Sequence, residues 1–383
     1  MRTFEFEWHA ERGLSWTGEA DFEPDLVLFF GERATVAQGA CFRALREAFP
    51  EARIVGCSTG GQFNAEVITD ERVLAVAVKF HHARVDLATI NSSDFPDSEA
   101  CGRALAQSLR RPDLKAVLVI SDGLQVNGSK LVAGLTQGVG PGVVVSGGMA
   151  GDGTLFENTI VAANAPGCSG AIAAIGFFGS GFEVRTGSAG GWDVFGPRRR
   201  ITKSSANVLF ELDGKPALEL YERYLGADEV RDLPGSGLLF PLRIDDPDAP
   251  GNDVVRTILA IDREVGSMTF AGDMPEGWTA QLMRGSFDRL IEGAADAARQ
   301  SAAPEDEVSG LSVLISCIGR RLLMGQRAVD EVDAAAEELA RNHAMIGFYS
   351  YGEISPHSGS GFCQLHNQTM TVFSIYERAA RIS

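Results

Sequence analysis

Histidine and cysteine are scarce in this chain, with six of each in 383 residues, and no two cysteines form a Cys-x-x-Cys pair. There is no His-Glu-x-x-His either, so neither a zinc centre built from sequence-local ligands nor a dithiol redox motif is expected. Basic residues are outnumbered: 34 Lys and Arg face 51 Asp and Glu, a formal charge of −17. That balance argues against a surface that tracks nucleic-acid phosphates or docks on an anionic membrane. No apolar run reaches the ~18 residues of a membrane span, the longest lying around 171–178. Glu5 and Glu7 interrupt the start, where a signal peptide carries its apolar stretch, so a soluble, cytoplasmic protein with reduced thiols is expected. Phosphate-loop spacing is missing, and the glycines of 148–153 do not follow G-x-G-x-x-G.

Glycine, by contrast, is abundant at 44 residues and clustered. Apolar, β-rich runs at 26–30, 73–80, 117–120, 143–145, 172–178, 311–315 and 370–375 predict strands. Helical spacing occurs at 35–49, 99–109, 131–136, 287–298 and 329–339. The alternation predicts an α/β to α+β fold, with mixed sheets made of repeated strand-helix-strand units. Residues 159–212 read as an antiparallel meander between them. One cycle recurs three times: a strand, a helix and a second strand ending in a small-residue turn. The turns are Gly56-Cys57-Ser58-Thr59-Gly60-Gly61-Gln62, Ser146-Gly147-Gly148-Met149-Ala150-Gly151-Asp152-Gly153 and Gly347-Phe348-Tyr349-Ser350-Tyr351-Gly352-Glu353-Ile354. Such turns either leave backbone N–H groups for a ligand beyond the strand ends, or simply reverse the chain.

The turns and their surroundings resemble the FIST family. Residues 116–153 with Phe156-Glu157-Asn158-Thr159, Gly191-Trp192 and residues 213–218 are similar to its N-terminal part. Ser316-Cys317-Ile318-Gly319-Arg320, residues 347–354 and Leu365-His366-Asn367-Gln368-Thr369-Met370 are similar to its C-terminal part. The resemblance implies an N-terminal domain over 24–217 and a C-terminal domain over 218–377, with an extension at 1–23 and a tail at 378–383. It also implies a non-enzymatic sensory protein that binds a small ligand and signals through a separate partner, such as a histidine kinase or a cyclic-di-GMP enzyme. The ligand is then an amino acid or another small carboxylate, or haem with nitric oxide as the sensed gas.

The pocket expected from these features joins Ser58, Gly148, Gly151, Asp152 and Glu353 of the turns to Cys317, Gly319, Arg320, Asn367 and Thr369. Arg320 follows a buried strand, where its fork of donors suits a carboxylate or propionate, or an internal salt bridge to Glu353 or Asp152. His366 is the candidate iron ligand, its alternative being a hydrogen bond inside a closed core. His357 lies in a Gly/Ser loop read as a lid, and His81, His82 and His343 as turn or strand-end residues. Cys57 and Cys317 are reactive only beside a cation, and otherwise inert. Gly56-Cys57-Ser58-Thr59-Gly60 also matches the nucleophile elbow, giving a competing serine-hydrolase reading through Ser58, although no helical pattern follows it. Arg198-Arg199-Arg200 reads as a solvated strand edge, and the acidic stretch 245–253 as a surface loop.

Overall fold

The computed structural model describes residues 1–15, 21–233, 235–248, 253–303, 308–339, 343–356 and 363–378. The recurring cycle becomes three units of one design. In the first, strands Leu26–Gly31 and Arg53–Ser58 pair in parallel, joined by helices. In the second the parallel pair is Leu114–Ser121 and Val144–Met149, and in the third Val308–Cys317 and His343–Ser350. The first strand of each pair is flanked on its other side by an antiparallel strand: Val73–Lys79, Ala171–Phe178 or Met370–Arg378. A fourth strand then follows in each sheet, Arg2–His9, Arg84–Asn91 or Phe182–Ala189, and the first sheet continues to a short edge strand, Gly13–Ser15.

The inner faces of the three sheets meet in one apolar core, to which Leu28 and Val76, Leu118 and Ile175, and Val313 and Phe373 contribute from successive units. Helices cover the outer faces, Phe42 and Leu45 on the first, Leu105 and Leu131 on the second, Leu290 and Val332 on the third. Strands buried on both faces read as unbroken apolar runs, which is why they are legible in sequence. Each such leucine or valine contributes ~1.5–3 kcal/mol.

The units are interlocked. After its turn, each sends a short strand to the next: Gln62–Asn64 pairs with His343–Ser350, Val161–Ala163 with Arg53–Ser58, and Gly352–Pro356 with Val144–Met149. At Gly147 the strands leave no room for a side chain, because a Cβ there would collide with the carbonyl oxygen of Val119. Residues 199–285 form a separate β module with its own core of Ile201, Ile244, Met268 and Phe270.

Several expectations change. The helix expected over 35–49 is two, Arg33–Gln38 and Ala40–Ala48, because Gly39 adopts φ 69° between them. The strands of 159–212 do not form one meander: they are distributed over all four sheets, since doubly buried strands need partners from other units. Residues 2–9 are an integral strand rather than an extension. The sequence boundary near 217 is no packing boundary, because Phe182–Ala189 pairs with Met370–Arg378. Arg199 and Arg200 are in a strand paired on both sides, not at an edge.

Candidate functional site

The three turns meet one another. Gly60 N–H donates to Tyr349 O at 2.8 Å, Tyr351 N–H to Met149 O at 3.2 Å, and Gly151 N–H to Ser58 O at 3.0 Å. This ring joins all three units, so donors that the sequence offered to a ligand are spent on the neighbouring turn. The polar residue closing each turn is likewise committed. Gln62 accepts from Thr59 Oγ1 at 2.7 Å and donates to Arg72 O. Asp152 accepts from the N–H groups of Phe156, Glu157 and Asn158, from Tyr351 Oη and from Arg33. Burial pushes its pKa up, but these bonds outweigh burial and the net shift is down. Glu353 accepts from Ser350 Oγ at 2.7 Å and from both N–H and Oγ1 of Thr369 at 3.1 and 2.9 Å. Here burial wins, raising its pKa to about 8.

Arg320 is not a ligand clamp. Its side chain is fully buried, with Nε and Nη2 each 2.9 Å from Oε2 of Glu331. The remaining donors hold Gly190 O and Leu290 O. The internal partner is thus Glu331, from the helix Ala328–Glu338, and not Glu353 or Asp152. A guanidinium at the start of a helix reaches the next helix of its own unit before it reaches the turns. Ser58 Oγ accepts the N–H of Ile160 at 2.9 Å, is buried, and is followed by a strand instead of a helix. An elbow serine stands exposed above a helix, so Ser58 does not have that geometry. Burial pushes the thiols of Cys57 and Cys317 up, away from thiolate.

A cavity of about 230 Å³ lies on one side of the ring. Its floor is Cys317, Ile318, Met149 and Tyr351, and one wall is the loop Gly123 to Gly128. Asp122 fixes that loop by accepting the N–H groups of Leu124 and Gln125, and Asn127 caps the helix Gly128–Val139. The opposite wall comes from the β module: Asn207, Thr257, Leu259, Phe270, Ala271 and Gly272. Asn127 Nδ2 bonds Asp273 Oδ1 at 2.9 Å across the junction. Phe156 stacks on Tyr351 at 4.6 Å at the mouth.

Two groups on the β-module side have incomplete electrostatic surroundings. Thr257 Oγ1, on the wall, is buried without a hydrogen-bond partner among the described residues. Arg256, buried just behind Gly272, donates among the described residues to the carbonyls of Asp273, Val255 and Leu365. Among the described residues no carboxylate comes within ion-pair distance of it. Burial lowers its pKa to about 10 against the attraction of Asp273. Close by, the Asn367 amide and Gln368 Oε1 are also buried without partners among the described residues, Gln368 Nε2 reaching Leu238 O at the cavity wall.

Of the residues expected in the pocket, only Cys317 lines this cavity. Arg320, Glu353, Asn367 and Thr369 pack behind it, Gly319 against Gln368, and Gly148 inside a sheet. Asp152 lines the cleft on the far side of the ring, and Ser58 and Gly151 are members of the ring itself. His366 lines a separate cavity of about 280 Å³ with Thr369 and Asp253. Its Nε2 is 3.2 Å from Ser355 O, which makes that nitrogen a donor and withholds it from iron. Among the described residues the central cavity has no histidine, and its volume is below the ~300–1,000 Å³ of pockets for drug-sized ligands, so this cavity does not fit haem. The loop carrying His357 lies outside the described residues.

Comparison with known proteins matches the FIST N domain to residues 25–215 and the FIST C domain to residues 217–356. The chain belongs to the FIST family. A similar protein, the uncharacterized protein MJ1623 of Methanocaldococcus jannaschii, is 22% identical over 362 residues, covering 82% of this chain. The chain spans 66% of that relative's length. FIST domains are small-ligand sensory domains, and no helix among the described residues is long and apolar enough to cross a membrane. In this FIST chain the cavity is walled by both matched regions. Sequence reasoning missed its β-module wall because Arg256, Thr257 and residues 270–273 carry no motif. Asn127-Gly128 before a helical pattern was the one readable signal, as a cap.

Proposed function

We propose that this FIST protein senses a small carboxylate of amino-acid size in the cavity of about 230 Å³ and passes its occupancy to a separate signalling protein. The observation that carries this reading is the Thr257 hydroxyl, which lines the cavity with no hydrogen-bond partner among the described residues, backed by the Arg256 guanidinium, which is bonded to three carbonyls but to no described carboxylate and packs behind Gly272. An unpaired hydroxyl costs ~1–3 kcal/mol when buried, and a buried cation without a carboxylate costs more. A ligand carrying an acceptor and a negative charge relieves both. This local positive centre also answers how a chain of charge −17 attracts an anion. Partners of the histidine-kinase or cyclic-di-GMP type remain the expectation from the family.

The test is a thermal-shift screen of free amino acids and small carboxylates, followed by calorimetry. A ligand at a hundred times its Kd stabilises by ~2.7 kcal/mol. Thr257→Val, which keeps the shape and removes the hydroxyl, and Arg256→Lys, which keeps the charge and removes the fork, are expected to weaken binding about tenfold or more. Full binding by both variants, or no hit across the screen, rejects the reading.

A further inference from the structure

On the other side of the ring lies an open cleft of about 510 Å³, at the carboxyl ends of strands from all three units. Its walls are Glu32 and Arg33, the Thr59 to Gln62 turn, Asp70, residues 152–155, and Ile318, Arg321, Leu322 and Gly325. Two leucines stand exposed there, Leu155 at 53% and Leu322 at 40%. Both line the same concavity, so an apolar partner side chain seated there would bury against both.

The charge of the cleft is equally specific. Both of its arginines are already paired, Arg33 with Asp152 at 3.3 Å and Glu157 at 3.0 Å, and Arg321 with Asp70 at 2.6 Å. Arg321 is further held by Gly60 O and by the ring of Tyr349. The carboxylates that line the cleft, Glu32, Asp70 and Asp152, therefore outnumber its two cations, and Glu157 adds a fourth through its pairing with Arg33, in a chain of net charge −17. Glu157 and Asp70 are 64% and 62% exposed, so both remain open to a second cation.

We propose that this cleft is the docking site for a segment of a separate protein that presents leucine-like side chains between arginines or lysines. The leucines on the partner would bury against Leu155 and Leu322, and its cations would meet Glu32, Asp70 and Glu157. The cleft is also placed to report on the cavity. Ile318 lines both. Residues 152–158 form a single strap: Asp152 collects the N–H groups of 156–158, Leu155 faces the cleft, and Phe156, with φ 52°, lines the cavity against Tyr351. That coupling rests on the proposed ligand cavity, whereas docking itself does not.

The experiment uses the full chain without added ligand, and a short fluorescent amphipathic peptide of leucine and arginine. A peptide of the same charge with serine in place of leucine controls for attraction to an acidic protein. Anisotropy is expected to show the leucine peptide binding at least about tenfold more tightly than the serine peptide. Leu155→Ser with Leu322→Ser removes that preference without changing net charge, and circular dichroism melting checks that the variant folds. Equal binding of the two peptides, or an undiminished preference in the folded variant, overturns the proposal. So does size-exclusion behaviour in which the parent is a dimer and the variant a monomer, because the occupant is then a second copy of the chain. Failure of the carboxylate screen leaves this outcome unaffected, so the two readings fail separately.

Discussion

Replacing Arg320 with methionine separates a structural tie from a ligand clamp. The variant leaves the buried Glu331 carboxylate facing Ser316 Oγ at 3.1 Å with no cation. Breaking a buried pair from one side costs about 3–5 kcal/mol. The carbonyls of Gly190 and Leu290 also lose their donor, adding roughly 1 kcal/mol or more each. The expected loss is therefore about 5–7 kcal/mol, a large part of the ~5–15 kcal/mol that holds a domain folded. Arg320→Met with Glu331→Leu removes the stranded charge and is expected to regain about 3–5 kcal/mol, leaving only the orphaned carbonyls. Guanidinium unfolding measures this directly, with tryptophan fluorescence as the probe: the Trp192 indole donates to Gln368 O at 2.7 Å, beside the pair. A single variant destabilised by less than ~1 kcal/mol, or a double variant no better than the single, refutes the argument. The double variant should also keep any ligand-induced stabilisation, because Arg320 has no donor to offer the cavity.

Gly147→Ala, whose new methyl meets the backbone oxygen of Val119, is expected to cost more than ~3 kcal/mol and lower soluble yield, whereas Gly153→Ala, facing open space, is expected to cost about 1 kcal/mol, both read by thermal melting. Tyr351→Phe loses the hydroxyl that bonds Asp152 and Gly153 O, so hydrogen exchange should quicken at residues 153–158 while the sheets stay protected. Glu353, raised by burial from 4.5 to about 8, holds a proton in the folded state that the unfolded chain releases above pH 4.5. Its contribution to stability is therefore full below pH 4.5 and lost as pH rises through about 8. Glu353→Gln should flatten the pH dependence of the unfolding midpoint across that window, and an unchanged slope would contradict the assignment.

The three-unit plan was legible because both faces of the strands Leu26–Gly31, Leu114–Ser121 and Val308–Cys317 are buried, leaving near-continuous apolar runs. The turns were legible through their glycines. Their use was not, since no local pattern tells whether a turn N–H faces a ligand or, as at Gly60 and Gly151, a carbonyl of another unit. Arg320 was misassigned for a related reason: its partner Glu331 is only one helix away, but the sequence offered several acids and no geometry to choose among them.

The sequence by itself determined the family, the alternation of strands and helices and the acidic charge, because these depend on composition, order and local periodicity. Tertiary structure alone decided how the short strands are exchanged among units, which closes the turns into a ring, and how the β module covers one side of it. Both are contacts between residues far apart in the chain, set by complementary shapes and hydrogen-bond needs rather than by any local pattern. They place Thr257, and not Arg320 or His366, on the wall of the central cavity, with Arg256 behind it.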